Sequence, residues 1–179
     1  MSPIERITPP LSGNETEVLV GMLDWHRDTL RIKADGLDAA QLEQRLEPST
    51  MTLGGMLKHM AWVEDWWFGQ VFSGRPPAAP WASVDWKADP DWEWHSAAGA
   101  SPEELRGVFD DLVAASDRII AEALGSADGL DAQSDRPSRR DPQQKISLRW
   151  IVVHMIEEYA RHNGHADLIR ESIDGVVGQ

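Results

Sequence analysis

The sequence contains no cysteine. Disulfides, thiolate metal ligands and a cysteine nucleophile are therefore excluded, and any metal must be bound by His, Asp, Glu or backbone groups. No apolar run approaches the roughly 20 residues that a membrane-spanning helix needs. The N-terminal segment has neither the basic start nor the apolar core of a signal peptide. We therefore expect a cytoplasmic protein with no membrane partner.

Basic side chains and the smaller aromatic side chains are also scarce. Lys and Arg number 17 against 30 Asp and Glu, which gives a net charge of −13. A chain with this charge repels phosphate backbones, so we expect no nucleic-acid partner. Only three Phe and one Tyr accompany nine Trp, and five of these Trp residues fall between positions 67 and 94.

The length and the helical periodicity together predict the fold. A chain of 179 residues that is 41% hydrophobic suits one domain, residues 1–179, with 1–13 as an extended N-terminal segment. A short helical turn is expected at 38–45, and no segment has the alternation of a strand. Amphipathic helical periodicity is found over four long segments: 14–35, 52–73, 102–124 and 147–172. With long connections between them, these segments predict an all-α four-helix bundle with long inter-helix loops.

The fourth helix carries the polar sequence HMIEEYARHNGH. At about 100° per residue, His154 and His162 lie roughly 40° to either side of Glu158, and His165 lies about 20° from it. These side chains interrupt the face that a bundle would bury, where a carboxylate is costly unless it is paired or bound to a metal. Glu158 and His162 are one turn apart and can therefore bind the same ion.

A third metal ligand would have to come from a facing helix. His59 is at the centre of the apolar face of the second helix, and His26 lies on the apolar stripe of the first. Glu64 is about 140° from His59 around the helix and is expected to be exposed. Two His with one Glu and an open position suit zinc, and also nickel, manganese or iron(II).

Other interpretations of these residues remain open at this point. A histidine on an apolar face is often an ordinary hydrogen-bonded core residue. Glu158 can also pair with Arg161 or Arg149 instead of a metal. Spacing alone does not choose between these interpretations and a metal site.

Three segments carry a family resemblance: LDWHRDTLRIKADGL, TLGGMLKHMAWVEDWWF and SLRWIVVHMIEEYARHNGHADLIRE. Together they resemble the DinB-like superfamily, and more closely its actinobacterial branch of mycothiol-dependent S-transferases. The resemblance implies a four-helix bundle with a divalent metal bound by His59, Glu158 and His162. It also implies that His154 and His165 lie beside the metal rather than on it.

The resemblance also implies a reaction. A divalent metal, with zinc as the leading candidate, lowers the pKa of a low-molecular-weight thiol, and the thiolate attacks a small electrophile. The implied thiol is mycothiol, the implied role is detoxification, and a homodimer is compatible with a bundle of this kind. A non-catalytic metal or small-molecule binding protein is the alternative from another class. A metal-dependent hydrolase is less favoured, because Glu157 lies about 100° from Glu158 and no further carboxylate is evident beside the ligands.

Further residues are candidates for the walls of the pocket. Trp62 and Trp66 share the face of His59 and either enclose the site or pack in the core. His26 is a further pocket candidate. A basic cluster precedes the fourth helix and is either a solvated loop or a binding surface for the thiol, with Arg139 and Arg140 as its leading members: Arg136, Arg139, Arg140 and Lys145.

Overall fold

The computed structural model describes residues 4–178. Its helices, in chain order, are α1 (Glu15–Ala34), α2 (Ala39–Leu42), α3 (Leu53–Glu64), α4 (Trp92–His95), α5 (Pro102–Leu124) and α6 (Leu148–Asp174). The four long predicted helices are confirmed, and their ends lie within two residues of the predicted positions when α3 is taken together with the π-helix that continues it to Phe72. The short turn predicted after the first helix is α2, and α4 lies in the Trp-rich connection, residues 73–101, that precedes α5.

The helices begin where the sequence provides capping side chains. Ser101 and Glu104 form a capping box at the start of α5, with the Ser101 amide donating to Glu104 Oε2 over 2.8 Å. The hydroxyls of Thr52 and Ser147 accept backbone hydrogen bonds at the starts of α3 and α6. Gly175, with φ at +79°, ends α6 in the left-handed conformation that suits glycine.

The second predicted helix changes its geometry part-way along. α3 ends at Glu64, and the chain continues as a π-helix over Asp65–Phe72. The Asp65 carboxylate accepts hydrogen bonds from the Gln70 side chain at 2.8 Å and from the Ala78 amide at 3.2 Å. These bonds join the wide turns to the loop that follows. Segments of π-helix within helices often accompany functional sites.

A small hairpin corrects the expectation that the chain has no strand. β1 (Gln133–Pro137) and β2 (Lys145–Ser147) pair as antiparallel strands directly before α6. Their sequences are short and mostly polar, so they lack the alternation that identifies a half-buried strand. Ser134 stabilises the turn locally, because its hydroxyl accepts from the Ile146 amide at 2.9 Å and donates to the Arg136 carbonyl at 2.6 Å.

The long helices pack as a bundle around one apolar core. α1 packs mainly against α6, α3 packs mainly against α5, and α3 also contacts α6. This arrangement confirms the predicted all-α bundle. The largest fully buried apolar side chains come from the bundle helices, α2, the π-helix and the Trp-rich connection: Trp81, Tyr159, Phe68, Phe109, Leu23, Leu30, Leu42, Leu53, Met56, Leu57 and Met60. In residues 4–178, no helix is both long enough and apolar enough to cross a membrane.

Glu64 corrects a second expectation, because it is fully buried rather than exposed. Its carboxylate accepts two hydrogen bonds from Arg27, each 2.8 Å long, and one from the Tyr159 hydroxyl at 2.7 Å. The face of α3 that lies away from His59 is covered by α1, which also contacts α3. A bundle helix has two neighbours, so a side chain far from one buried face can lie against another helix.

Candidate metal centre

The structure brings His59, Glu158 and His162 together from two helices. His59 projects from α3, and its ring centroid is 4.9 Å from that of His162 on α6. Glu158 lies one turn before His162, with its Oε2 3.8 Å from His162 Nε2. The side chains of all three residues are largely shielded from solvent, with exposed fractions of 15%, 18% and 10%. The predicted candidates are therefore neighbours.

In residues 4–178, no group of three or more His, Asp or Glu side chains is arranged so that it could hold a metal ion. The 3.8 Å between Glu158 and His162 is longer than a hydrogen bond. It is also slightly longer than the roughly 3.4 Å between two ligands of a tetrahedral zinc with bonds of about 2.1 Å. A small side-chain movement would bring the two groups to one ion.

The donor chemistry of this cluster fits a divalent metal. Two imidazoles and one carboxylate are a set that catalytic zinc sites use. His162 Nε2 faces Glu158 Oε2, whereas its Nδ1 is buried and finds no hydrogen-bond partner in the described part of the chain. The ring of His59 is already oriented by a hydrogen-bonding contact at its own Nδ1, which leaves Nε2 available to an ion.

His162 is held in the neutral form that a metal ligand requires. Burial, reinforced by repulsion from His59, His165 and Arg161, lowers the pKa of His162 to about 4. At neutral pH the imidazole therefore carries no competing proton, and its lone pair is free for a metal.

Glu93 also belongs to this cluster, although no pattern in the sequence predicts it. It is the second residue of α4, is 5% exposed, and has its Oε1 3.2 Å from His59 Nδ1. The next residue in the chain, Trp94, stacks on the His59 ring with the ring centroids 4.5 Å apart. The expectation that no further carboxylate lies beside the ligands is therefore wrong. A four-residue helix is too short for periodicity to assign its faces, and the dense WEWH sequence is the only local signal.

The other predicted histidines lie at different distances from the cluster. His154 stacks on Trp150 at 5.0 Å, and its Nε2 is 3.7 Å from Glu158 Oε1. The His165 ring lies 5.9 Å from that of His162. His26 is tied to α6 through Asn163, whose side-chain amide donates to the His26 carbonyl at 2.9 Å. His154 and His165 thus flank the cluster. His26 instead contacts Asn163, the residue that follows His162 in the chain.

The two arginines that could have neutralised Glu158 are engaged elsewhere to different degrees. Arg149 forms ion pairs with Glu15 and Asp131 instead. Arg161 pairs with Glu157 at 2.9 Å and approaches Glu158 only to 3.8 Å. Arg161 at 3.8 Å is therefore a long ion-pair partner of Glu158, and its shorter contact is to Glu157.

A cavity of about 1020 Å³ opens beside Glu158. Its aromatic side is formed by Trp66, Trp67 and Trp150, and its basic side by the hairpin loop. Arg139 and Arg140 line this cavity together with Lys145, and the guanidinium of Arg139 lies 4.1 Å above the ring of Trp66. Arg136 instead donates to the Arg75 carbonyl and is not part of this lining.

A second cavity, of about 440 Å³, adjoins the first and shares Trp66 and Arg139 with it. Its walls are mainly indole and proline rings from the π-helix, α3 and the Trp-rich connection: Trp62, Trp66, Pro77, Trp81, Trp86 and Pro90. The ring of Trp62 also lies 6.0 Å from that of His59. Trp62 thus stands between the histidine cluster and this cavity.

Comparison with known protein families identifies the family of this chain. A family model described as mycothiol-S-transferase matches residues 18–175. The chain belongs to the mycothiol-S-transferase family. This confirms the resemblance that the three sequence segments indicate, and it gives the chain a mycothiol S-transferase-type role with a thiol substrate.

Comparisons with individual proteins add information about the fold of this mycothiol-S-transferase family member. A comparison with curated proteins finds no match. Among solved structures, a crystal structure described as the conserved protein of locus from Enterococcus faecalis matches with a TM-score of 0.55 and 15% identity. The match covers 92% of this chain and all of the other. At this identity the likeness shows a shared fold alone.

Proposed function

We propose that this protein is a divalent-metal-dependent S-transferase that joins mycothiol to a small electrophile. The observation that carries the proposal is the convergence of His59, Glu158 and His162, of which Glu158 lines a cavity of about 1020 Å³. Cavities of about 300–1,000 Å³ are typical of small-molecule sites. A chain without cysteine must take its thiol from outside, which agrees with the family.

The three residues would hold the metal through His59 Nε2, the Glu158 carboxylate and His162. The set suits zinc best, and nickel, manganese and iron(II) accept the same donors. A divalent ion held there would lower the pKa of a bound thiol and so favour its thiolate form at neutral pH. Three protein ligands leave a position open to a substrate, as in catalytic rather than structural sites.

The larger cavity is our proposed site for the thiol. The polar sugar portion of the thiol would lie against Trp66 and Trp150 and accept hydrogen bonds from Arg139 and Arg140. His154 lines the same cavity, with Nε2 3.7 Å from Glu158, and is placed to accept the thiol proton. These contacts would orient the sulfur toward Glu158 and His162.

The smaller cavity is our proposed site for the electrophile. Its indole and proline rings favour an apolar or flat molecule, and its shared wall at Trp66 places that molecule next to the thiol. In a substitution, sulfur forms a bond to the electrophilic carbon and the leaving group departs with the electron pair. Holding both reactants beside one another removes the entropic cost of their encounter.

Metal analysis tests the proposed site directly. We expect purified protein to bind about one divalent ion per chain, and His59→Ala or His162→Ala to abolish binding because each removes a ligand. His95→Ala is the matched control, since the His95 side chain is 66% exposed and pairs with Asp89 rather than with a proposed ligand. Full metal content in both ligand variants would overturn the site.

A thiol and electrophile panel tests the reaction. We expect consumption of mycothiol with a bimane or a chloronitroarene only in the metal-loaded protein. Metal binding without turnover on any thiol would instead indicate a binding protein. Ester or amide hydrolysis without thiol would indicate a hydrolase.

The observation that favours a hydrolase is Glu93, a further carboxylate beside the proposed ligands. Its Oε1, however, contacts His59 Nδ1.

A further inference from the structure

Glu93 is an unusual carboxylate for the interior of this protein. It is 5% exposed, and His59 is the one side chain of residues 4–178 within ion-pairing distance of it. Its second oxygen, Oε2, is buried and accepts no hydrogen bond in that part of the chain. A buried carboxylate costs several kcal/mol unless a cation or several donors compensate it.

The geometry around His59 suggests what compensates this charge. A carboxylate oxygen can only accept, so the contact of Glu93 Oε1 with Nδ1 at 3.2 Å favours the neutral tautomer with its hydrogen on Nδ1 and its lone pair on Nε2. The ring is also held by Trp94, which stacks on it at 4.5 Å with planes 23° apart. Both partners of the ring come from α4, so this short helix fixes the direction in which Nε2 points.

We propose that Glu93 is a positioning residue of the metal centre, which holds His59 by its Nδ1–H so that Nε2 is presented to the metal. The proposal rests on the proposed function, because it takes His59 as a metal ligand. Histidine ligands commonly donate their second ring nitrogen to a carboxylate, which fixes the tautomer and strengthens the ligand. A divalent ion one imidazole away also compensates the buried charge of Glu93.

The Trp-rich connection thereby has a function that its sequence does not indicate. The segment between the π-helix and α5 contains α4 and covers the bundle beside His59. Through Glu93 it contributes to metal binding without providing a ligand. Loss of this contact should therefore weaken the metal centre even though His59, Glu158 and His162 are all retained.

Metal affinity in Glu93 variants tests the proposal. We expect Glu93→Leu to weaken zinc binding about 10- to 100-fold, as measured by competition with a chromophoric chelator. Glu93→Gln keeps an oxygen that can accept from Nδ1–H but lacks the charge, so it should fall between the wild type and Glu93→Leu. Wild-type affinity in both variants would overturn the proposal.

Imidazole NMR of the metal-free protein gives a readout that does not depend on metal or turnover. We expect His59 to carry its hydrogen on Nδ1 in the wild type and to lose this preference in Glu93→Leu. The same tautomer populations in both proteins would contradict the proposed role. Far-UV circular dichroism verifies folding, and Glu93→Gln, which keeps the shape of the side chain, still tests the proposal if Glu93→Leu does not fold.

Two controls separate this proposal from the proposed function. Asp89→Asn removes the carboxylate from another His–carboxylate pair of the same segment, Asp89 with His95 at 3.0 Å, and should leave zinc affinity unchanged. If His59→Ala retains metal, the proposed centre itself fails. If His59→Ala loses metal while both Glu93 variants bind it as tightly as the wild type, only the role of Glu93 fails.

Discussion

Arg27 and Glu64 form an ion pair in the core, with both side chains fully buried. The Glu64 side chain is fully shielded from solvent. The two further partners of Arg27 are Asp24 and Asp117, whose side chains are 53% and 55% exposed. Burial opposes the charge of the guanidinium, but the adjacent Glu64 carboxylate outweighs it and holds the pKa of Arg27 well above its ordinary value. The pair therefore stays charged, and its stability depends on both members being present.

We expect Glu64→Gln to reduce the free energy of unfolding by about 3 kcal/mol, because it leaves a buried guanidinium without its buried counter-charge. Urea unfolding of the chelator-treated protein measures this loss. Asp117→Asn is the matched control, since it removes an exposed partner of the same guanidinium and should cost at most about 1 kcal/mol. Equal losses in the two variants would contradict the assigned importance of Glu64.

Helical angles predict which residues share a face but not which faces are covered. The 140° between His59 and Glu64 holds in a regular helix, yet Glu64 is buried because α1 lies on that side of α3. The same limitation applies to Glu93, whose helix is too short to have a predictable face. In contrast, the four-residue spacing of Glu158 and His162 is enough to predict that the two side chains share one face of α6.

At the level of elements, α3 and α4 approach each other closely at a glycine. A Cβ on Gly55 would lie 2.8 Å from the Trp94 ring and 3.0 Å from the Thr52 hydroxyl. Trp94 is a rigid side chain that also stacks on His59. Gly55 therefore permits the contact through which α4 holds the His59 ring.

We expect Gly55→Ala to displace Trp94, lower the free energy of unfolding by about 1–3 kcal/mol, and weaken zinc binding. Thermal unfolding and chelator competition measure the two effects. Gly107→Ala is the matched control, because Gly107 lies in α5 with nothing within 4 Å of the added Cβ. That variant should be about 0.5–1 kcal/mol more stable than the wild type. Unchanged zinc affinity in Gly55→Ala would count against the role of this contact.

At the scale of the whole molecule, the proposed metal links helices that are distant in sequence. His59 belongs to α3, whereas Glu158 and His162 belong to α6, and Glu93 adds the connection that precedes α5. A ligand that binds only the folded chain stabilises it by mass action. Metal should therefore stabilise the bundle as a whole and protect the Trp-rich connection.

We expect zinc at a hundred times its dissociation constant to add about 2.7 kcal/mol to the free energy of unfolding. Calorimetry of the chelator-treated protein with and without zinc measures the change, and amide exchange should slow around α4. His95→Ala should respond like the wild type, and His59→Ala should not respond. An equal response in His59→Ala would place the stabilising metal elsewhere.

The sequence by itself determined the four long helices and their caps, because helical periodicity and capping residues act over a few neighbouring positions. It also indicated His59, Glu158 and His162, through one-turn spacing in α6 and the family resemblance. Only the tertiary structure decided that Glu93 touches His59, that Glu64 is buried, and that the hairpin holds Arg139 against Trp66. Those contacts depend on how loops and helices from distant parts of the chain pack together, which no local period encodes.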